Sequence, residues 1–379
     1  MKVALVCDWL TNVGGAEKVL LELHHLYPKA PIYTSQYNPR KIDWFCDADV
    51  RTGWLQVFPS VMRRFLGPLR FRYFSRLDLS EYDLIISVTG AEAKAVKSGK
   101  WLHENGVPGV KCPNGLHISY CHVPTQYYWQ MYDEYVENPG FGILNPLVRV
   151  CFKALVKPLR KRDYEAAQRV DDFLTISEYA KELIAKYYKR DAVVIYPPVD
   201  TGSFKYENNT IKNYYIVTSR QVNWKRIDLA VKACARTGRE LLVVGEGPEH
   251  AKLVKMTEKC KNVKFLPLQG REALAELLAG AKGMIFPSME PFGIAPVEAL
   301  AAGCPVIAFG EGGALDYVKD GENGVLFEKQ TINSLVGVLD RFEKMKFDRK
   351  KVSKSAEKFA KKRFDNEIKE FINEKVGNS

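Results

Sequence analysis

The chain has no apolar run of the ~18–20 residues that a membrane-spanning helix needs. It has no Cys-x-x-Cys pair, no Gly-x-Gly-x-x-Gly fingerprint, and no internal repeat or low-complexity tract. These absences argue in turn against a helical membrane protein, a redox or zinc-ribbon motif, the standard dinucleotide site and a solenoid. The eight cysteines are scattered, several in apolar stretches where cysteine acts as a small hydrophobe, which points to free thiols in a reducing, cytoplasmic setting. CPNGLHISYCH (112–122) offers two Cys and two His, but the spacing is irregular for zinc, and core and loop roles compete with that reading. No small-residue cleavage site follows MKVALVCDWL, so that stretch is expected to be the first core strand and not a signal peptide.

Acidic residues are outnumbered, and the net charge is +11. Such a balance suits a phosphate-bearing partner: nucleic acid, anionic lipid or a phosphorylated small molecule. QVFPSVMRRFLGPLRFRYFSR (56–76) holds five Arg and no acid among aromatic and aliphatic residues. NPLVRVCFKALVKPLRKR (145–162) places Val148, Cys151, Phe152, Leu155 and Leu159 at helical spacing among six Lys/Arg. An apolar stripe with a basic face is the pattern of an interfacial helix, although a core-packing helix with a solvated basic face reads the same way. Two such segments in one half of the chain point to a peripheral protein on an anionic membrane, with Arg63, Arg64, Arg70 and Arg72 as candidate membrane or acceptor contacts. The rival is a nucleic-acid-binding protein, for which no RRM, KH or helix-turn-helix signature is present.

At 379 residues, two domains are expected. Short apolar strands alternate with amphipathic helices, the pattern of parallel sheets covered on both faces. Strands are expected at 2–10, 30–36, 82–89, 116–122, 172–178 and 192–199, and a second series starts at 214–220 and 240–247. YPPVDTGSFKYENN (196–209) is the linker candidate. The expected fold class is therefore α/β, with two doubly wound Rossmann-like domains, 1–199 and 200–356, facing each other across a cleft. A final helix, about 357–379, is expected to pack back on the first domain.

Three loops at strand ends carry unusual residues. Gly14-Gly15 opens a helix after the first strand, where free N–H groups can meet an anion. TSRQVNWKR (218–226) puts Arg220, Lys225 and Arg226 around one strand-to-helix turn, which suits a diphosphate. SMEPFGIAPVEAL (288–300) places Glu290 at a strand's carboxyl end, with the N–H groups of Phe292, Gly293 and Ile294 at a helix start and Glu298 beyond them. An ionised Glu at such a site can accept hydrogen bonds from vicinal hydroxyls. DAD (47–49) suggests a metal-binding DxD, but it lies in a polar stretch away from a clear strand end.

EPFGIAPVEALAAGCPVIA resembles the E-x7-E signature of the retaining glycosyltransferases of family 4, which have the two-domain GT-B fold. IYPPVDTGSF, SRQVNWKR, VVGEGPEHAKL and EGGALDYVKDGENGVLF are similar to further stretches of that family, and YCHVPTQYYW looks like its mannosyltransferases. The resemblance implies hexosyl transfer, with mannose from GDP-mannose foremost and a UDP-sugar as the alternative donor. It implies contacts to the donor sugar from Glu290 and to the ribose from Glu298, and diphosphate neutralisation by Arg220 and Lys225. Gly14, Gly15, Gly245 and the Phe292–Ile294 backbone would line the donor site, and His122 would sit near donor sugar and acceptor. No metal or other cofactor is expected, and no nucleic acid; the acceptor is expected to be a lipid-linked sugar or a glycan, met at the inner face of the cell membrane. The sequence departs from the family at Ser219, where Gly is common, and at LQGREAL (268–274), which lacks the usual Gly-led turn.

Overall fold

The protein is described by a computed structural model, which covers residues 1–60, 62, 66–137, 142, 145–206 and 210–377. Arg63 and Arg64 lie outside the described residues. The chain divides into two units, one of residues 1–197 with 365–379, the other of residues 198–364. The division falls inside the Pro-rich linker candidate, and most of the last helix, Lys361–Gly377, belongs to the first unit. There Lys375 pairs with Asp172 at 2.7 Å.

In the first unit, β1 (Val3–Cys7), β2 (Ile32–Thr34), β3 (Val50–Thr52), β4 (Leu84–Thr89), β5 (Leu116–Cys121), β6 (Asp172–Thr175) and β7 (Val193–Val194) form one sheet. All neighbours are parallel and the order is β3-β2-β1-β4-β5-β6-β7. The central strands β1, β4 and β5 are buried at every position; β1 reads as an unbroken apolar run, and the polar Ser87 of β4 and His117 of β5 meet at 2.8 Å. β3 is an edge strand of sequence VRT with no buried residue, and it carries none of the signal that located the others. Helix Glu178–Tyr188 starts where Ser177 predicts, its hydroxyl accepting from the Ala180 N–H at 2.9 Å.

The second unit repeats the plan with β8 (Tyr215–Thr218), β9 (Leu241–Val244), β10 (Val263–Leu266), β11 (Gly283–Phe286), β12 (Val306–Phe309) and β13 (Gly324–Phe327). This parallel sheet has the order β10-β9-β8-β11-β12-β13. One side is closed by helices Ile227–Thr237 and Ile332–Phe342, whose buried Val231, Cys234, Leu335 and Leu339 join the core formed by Tyr215, Ile285 and Ile307.

Chain order reverses between β1 and β4 in the first sheet and between β8 and β11 in the second. Loops leaving adjacent strands at such a point diverge to opposite faces and open a crevice at the strands' carboxyl ends. Among the described residues no helix is long and apolar enough to cross a membrane.

Candidate active site

In the second unit the crevice is lined by the loops after β8 and β11, which hold the predicted Arg220, Lys225 and Glu290. The ammonium of Lys225 pairs directly with the Glu290 carboxylate, although the two lie 65 positions apart. The other Glu290 oxygen accepts from the buried Ser288 hydroxyl at 2.7 Å. The backbone of Glu290 is held as well, its carbonyl accepting from the Gly313 N–H at 2.8 Å. A Cβ on Gly312 would come within 2.6 Å of that same carbonyl oxygen, so the β12 loop must be glycine here. Lys225 also lies 4.4 Å from the Trp224 ring centre, where the ring face favours a cation. A carboxylate and an ammonium thus stand side by side at the switch point, both largely withdrawn from solvent.

Arg220 is exposed between two pinned neighbours. The Ser219 N–H donates to Val244 O at 3.1 Å and the Gln221 N–H to Glu246 O at 2.7 Å. The side chain of Gln221 is fully buried; its amide donates to Gly245 O at 2.6 Å, and its oxygen meets His250 Nδ1 at 2.8 Å. Gly245 has φ 122°, and a Cβ there would lie 2.3 Å from Ser219 O. The predicted Gly245 therefore serves close backbone approach between the β8 and β9 loops, and that contact fixes where Arg220 emerges. Sequence reasoning missed Gln221 and Ser288; their signal was a polar residue one or two positions from a predicted site residue.

Helix Ile294–Ala301 is capped by Gly293 at φ 93°, where a Cβ would stand 2.8 Å from the Phe286 ring and 3.0 Å from the Tyr317 hydroxyl. The Phe292 side chain is core: it is 3% exposed and stacks edge-on with Tyr317 and Phe359 at 5.5 and 5.6 Å. Its carbonyl accepts from the Tyr317 hydroxyl at 2.8 Å, so the loop between Glu290 and the helix is held from beneath. Glu298 lies in the second turn and is half-buried.

In the first unit, Asp8 at the end of β1 accepts from Thr89 Oγ1 at 3.0 Å, Gly90 N–H at 3.0 Å and Ala93 N–H at 2.7 Å. It ties the loops on either side of that sheet's reversal. Gly14 caps helix Gly15–Leu26 without a side-chain bond, and a Cβ on it would lie 2.8 Å from the Glu17 carboxylate. His122 follows β5. Its N–H donates to Thr89 O at 2.8 Å, while its Nε2 is buried and finds no partner. Burial pushes its pKa down to about 4, so the ring is neutral near pH 7.

Two expectations for the basic segments need correction. Arg70 does not face outward; it is 2% exposed, pairs with buried Glu92 at 2.8 Å and lies 4.9 Å from the Trp9 ring centre. A buried guanidinium needs a carboxylate close by, and Glu92 supplies it from 22 residues on. Arg72, on the same helix, is exposed. In helix Asn145–Gln168 the expected stripe is split: Val148, Phe152 and Leu159 are half-buried, whereas Cys151 and Leu155 are exposed. Among the described residues no three His, Cys, Asp or Glu side chains lie together in a way that could hold a metal, so neither CPNGLHISYCH nor DAD forms such a cluster.

Residues 199–359, nearly all of the second unit, match the family described as glycosyl transferases group 1. An uncharacterized glycosyltransferase of Methanocaldococcus jannaschii is 27% identical over 201 residues, 52% of this chain and 56% of the relative. The match thus spans little more than half the length of that relative. An alpha-1,3/1,6-mannosyltransferase of Kluyveromyces lactis is 26% identical over 84% of this chain and 71% of its own. The crystal structure of Anabaena HepE in complex with UDP aligns over 99% of this chain and 100% of its own, with TM-score 0.70 and 19% identity. The likeness shows the fold: two Rossmann-like α/β domains in the GT-B arrangement of chain order.

Proposed function

We propose that the chain transfers a hexose from a nucleotide-sugar donor with retention at the anomeric carbon, and that the donor is GDP-mannose. The observation that carries this reading is the Lys225–Glu290 pair at the β8/β11 switch point, with exposed Arg220 on the same loop as Lys225. Diphosphate departure builds negative charge on the leaving oxygen, which Arg220 and Lys225 stabilise. Glu290, held by Ser288 and Gly313, accepts from the sugar hydroxyls; Glu298 accepts from the ribose. The helix start at Gly293–Ile294 offers N–H groups to the phosphates. His122, kept neutral by burial, belongs to the acceptor side of the reaction. The departing phosphate oxygen takes the acceptor's proton, so no protein nucleophile is needed.

Mannose is supported by the mannosyltransferase relative that spans most of the chain. A UDP-sugar is the second reading, favoured by the UDP complex of the Anabaena neighbour. The acceptor is a lipid-linked sugar or glycan, used at the cytoplasmic face of the cell membrane. A thermal-shift panel of GDP-, UDP- and ADP-sugars tests the donor. The cognate one at 100 times its dissociation constant adds ~2.7 kcal/mol to stability. A shift with GDP-mannose and none with the UDP-sugars supports the first reading, the reverse supports the second, and no shift with any of them overturns both.

A further inference from the structure

Helix Asn145–Gln168 buries one face and leaves an apolar ridge on the other. The inward face is fixed by Asp163, which is 3% exposed and is bonded to Lys94 at 2.6 Å, Thr125 at 2.8 Å, Trp129 at 2.7 Å and Tyr188 at 2.8 Å. Val156 is buried on the same side, and Arg149 turns inward to the carbonyls of Val136 and Glu137. At about 100° per residue, Leu147, Val150, Cys151, Ala154, Leu155 and Pro158 fall in the opposite arc. All six are exposed, with Leu147 at 63%, Val150 at 67% and Leu155 at 52%. Exposed Lys153, Lys157 and Lys161 run along one border of this ridge at i, i+4 and i+8. No acid occurs between Glu137 and Asp163; beyond it Glu165 lies 3.9 Å from Lys161.

We propose that this face docks on an anionic lipid bilayer, with the ridge in the acyl boundary and the lysine row on the headgroup phosphates. The ridge has no hydrogen-bonding group except a thiol, so it reads no particular side chain or base. An antiparallel contact with a second copy would bring like-charged lysine rows together, with no acid within 138–162 to neutralise Lys153 and Lys157. The proposal gives a surface to the membrane part of the proposed function and rests on that reading only for its benefit, access to a lipid-linked acceptor.

The test is flotation of the full chain with vesicles of phosphatidylcholine alone or of equimolar phosphatidylcholine and phosphatidylglycerol, without sugar donor, so it does not depend on the donor assignment. The wild type binds the anionic vesicles and loses them at high salt. Removing a lysine near the surface weakens binding about fivefold, and Lys153→Gln/Lys157→Gln/Lys161→Gln about a hundredfold. Leu147→Gln/Val150→Gln/Leu155→Gln weakens it at least about tenfold with an unchanged melting temperature, since all three are exposed. Lys344→Gln/Lys346→Gln/Lys350→Gln, the same charge removed from the second unit, retains most of the binding. Equal loss in that control, or a ridge variant that binds vesicles normally and only changes the oligomeric state, overturns the proposal.

Discussion

Arg220 emerges between two residues whose backbones are fastened to the neighbouring β9 loop. In the proposed mechanism its value to a leaving diphosphate depends on that exit, which the buried Gln221 amide helps to hold. Arg220→Ala is expected to lower kcat ~10²–10³-fold, the usual effect of losing one charge-stabilising donor. Gln221→Ala is expected to cost up to ~10²-fold through misplacement of the guanidinium. Because Gln221 acts through Arg220, the double variant should be no slower than Arg220→Ala alone. Additive losses in that double-mutant cycle would show that Gln221 has a separate role. Arg220 and Lys225 were singled out in the sequence because, with Arg226, they put three cations around one strand-to-helix turn. Gln221 could not, because its function lies in contacts to Gly245 and His250, 24 and 29 positions on.

At the level of elements, the apolar strands were legible, the edge strand β7 among them, and the edge strand β3 was not. β4 is apolar or small throughout because both faces are covered, whereas β3 pairs only with β2 and shows no buried side chain. The basic helix shows a different limit. Its sequence carries two apolar arcs, and periodicity alone cannot say which one faces the sheet. Asp163 decides, since a buried carboxylate must sit where Lys94, Thr125, Trp129 and Tyr188 converge. Burial works against the Lys94 ammonium, but Asp163 and other nearby acidic groups more than offset it, and its pKa rises above the ordinary lysine value. Asp163→Ala should therefore destabilise the first unit by about 3–5 kcal/mol, leaving an unpaired buried cation. Urea unfolding checks this; a loss below ~1 kcal/mol would mean that Lys94 finds another partner.

For the molecule as a whole, the +11 charge admitted several phosphate-bearing partners, and composition could not separate them. Local structure sorts the cations into different uses. Arg70 and Lys94 are spent inside the first unit on Glu92 and Asp163, Lys225 pairs with Glu290 at a sheet reversal, and Lys153, Lys157 and Lys161 line an exposed ridge. The alternation of strands and helices made two parallel sheets legible, and the loop residues suggested where chemistry could sit. The Lys225–Glu290 contact was beyond reach, because nothing in either local stretch specifies a partner on the other loop.

That contact offers the most direct test. In the free protein Lys225 is engaged by Glu290, while in the proposed mechanism it serves the diphosphate and Glu290 serves the sugar. Titration calorimetry of Glu290→Gln with the nucleoside diphosphate alone and with the whole nucleotide-sugar separates these roles. The mechanism predicts that the diphosphate binds at least as tightly as to the wild type, because Lys225 is released, while the nucleotide-sugar loses its added affinity and transfer stops. Weaker binding of the bare diphosphate, with the sugar's increment intact, would contradict it.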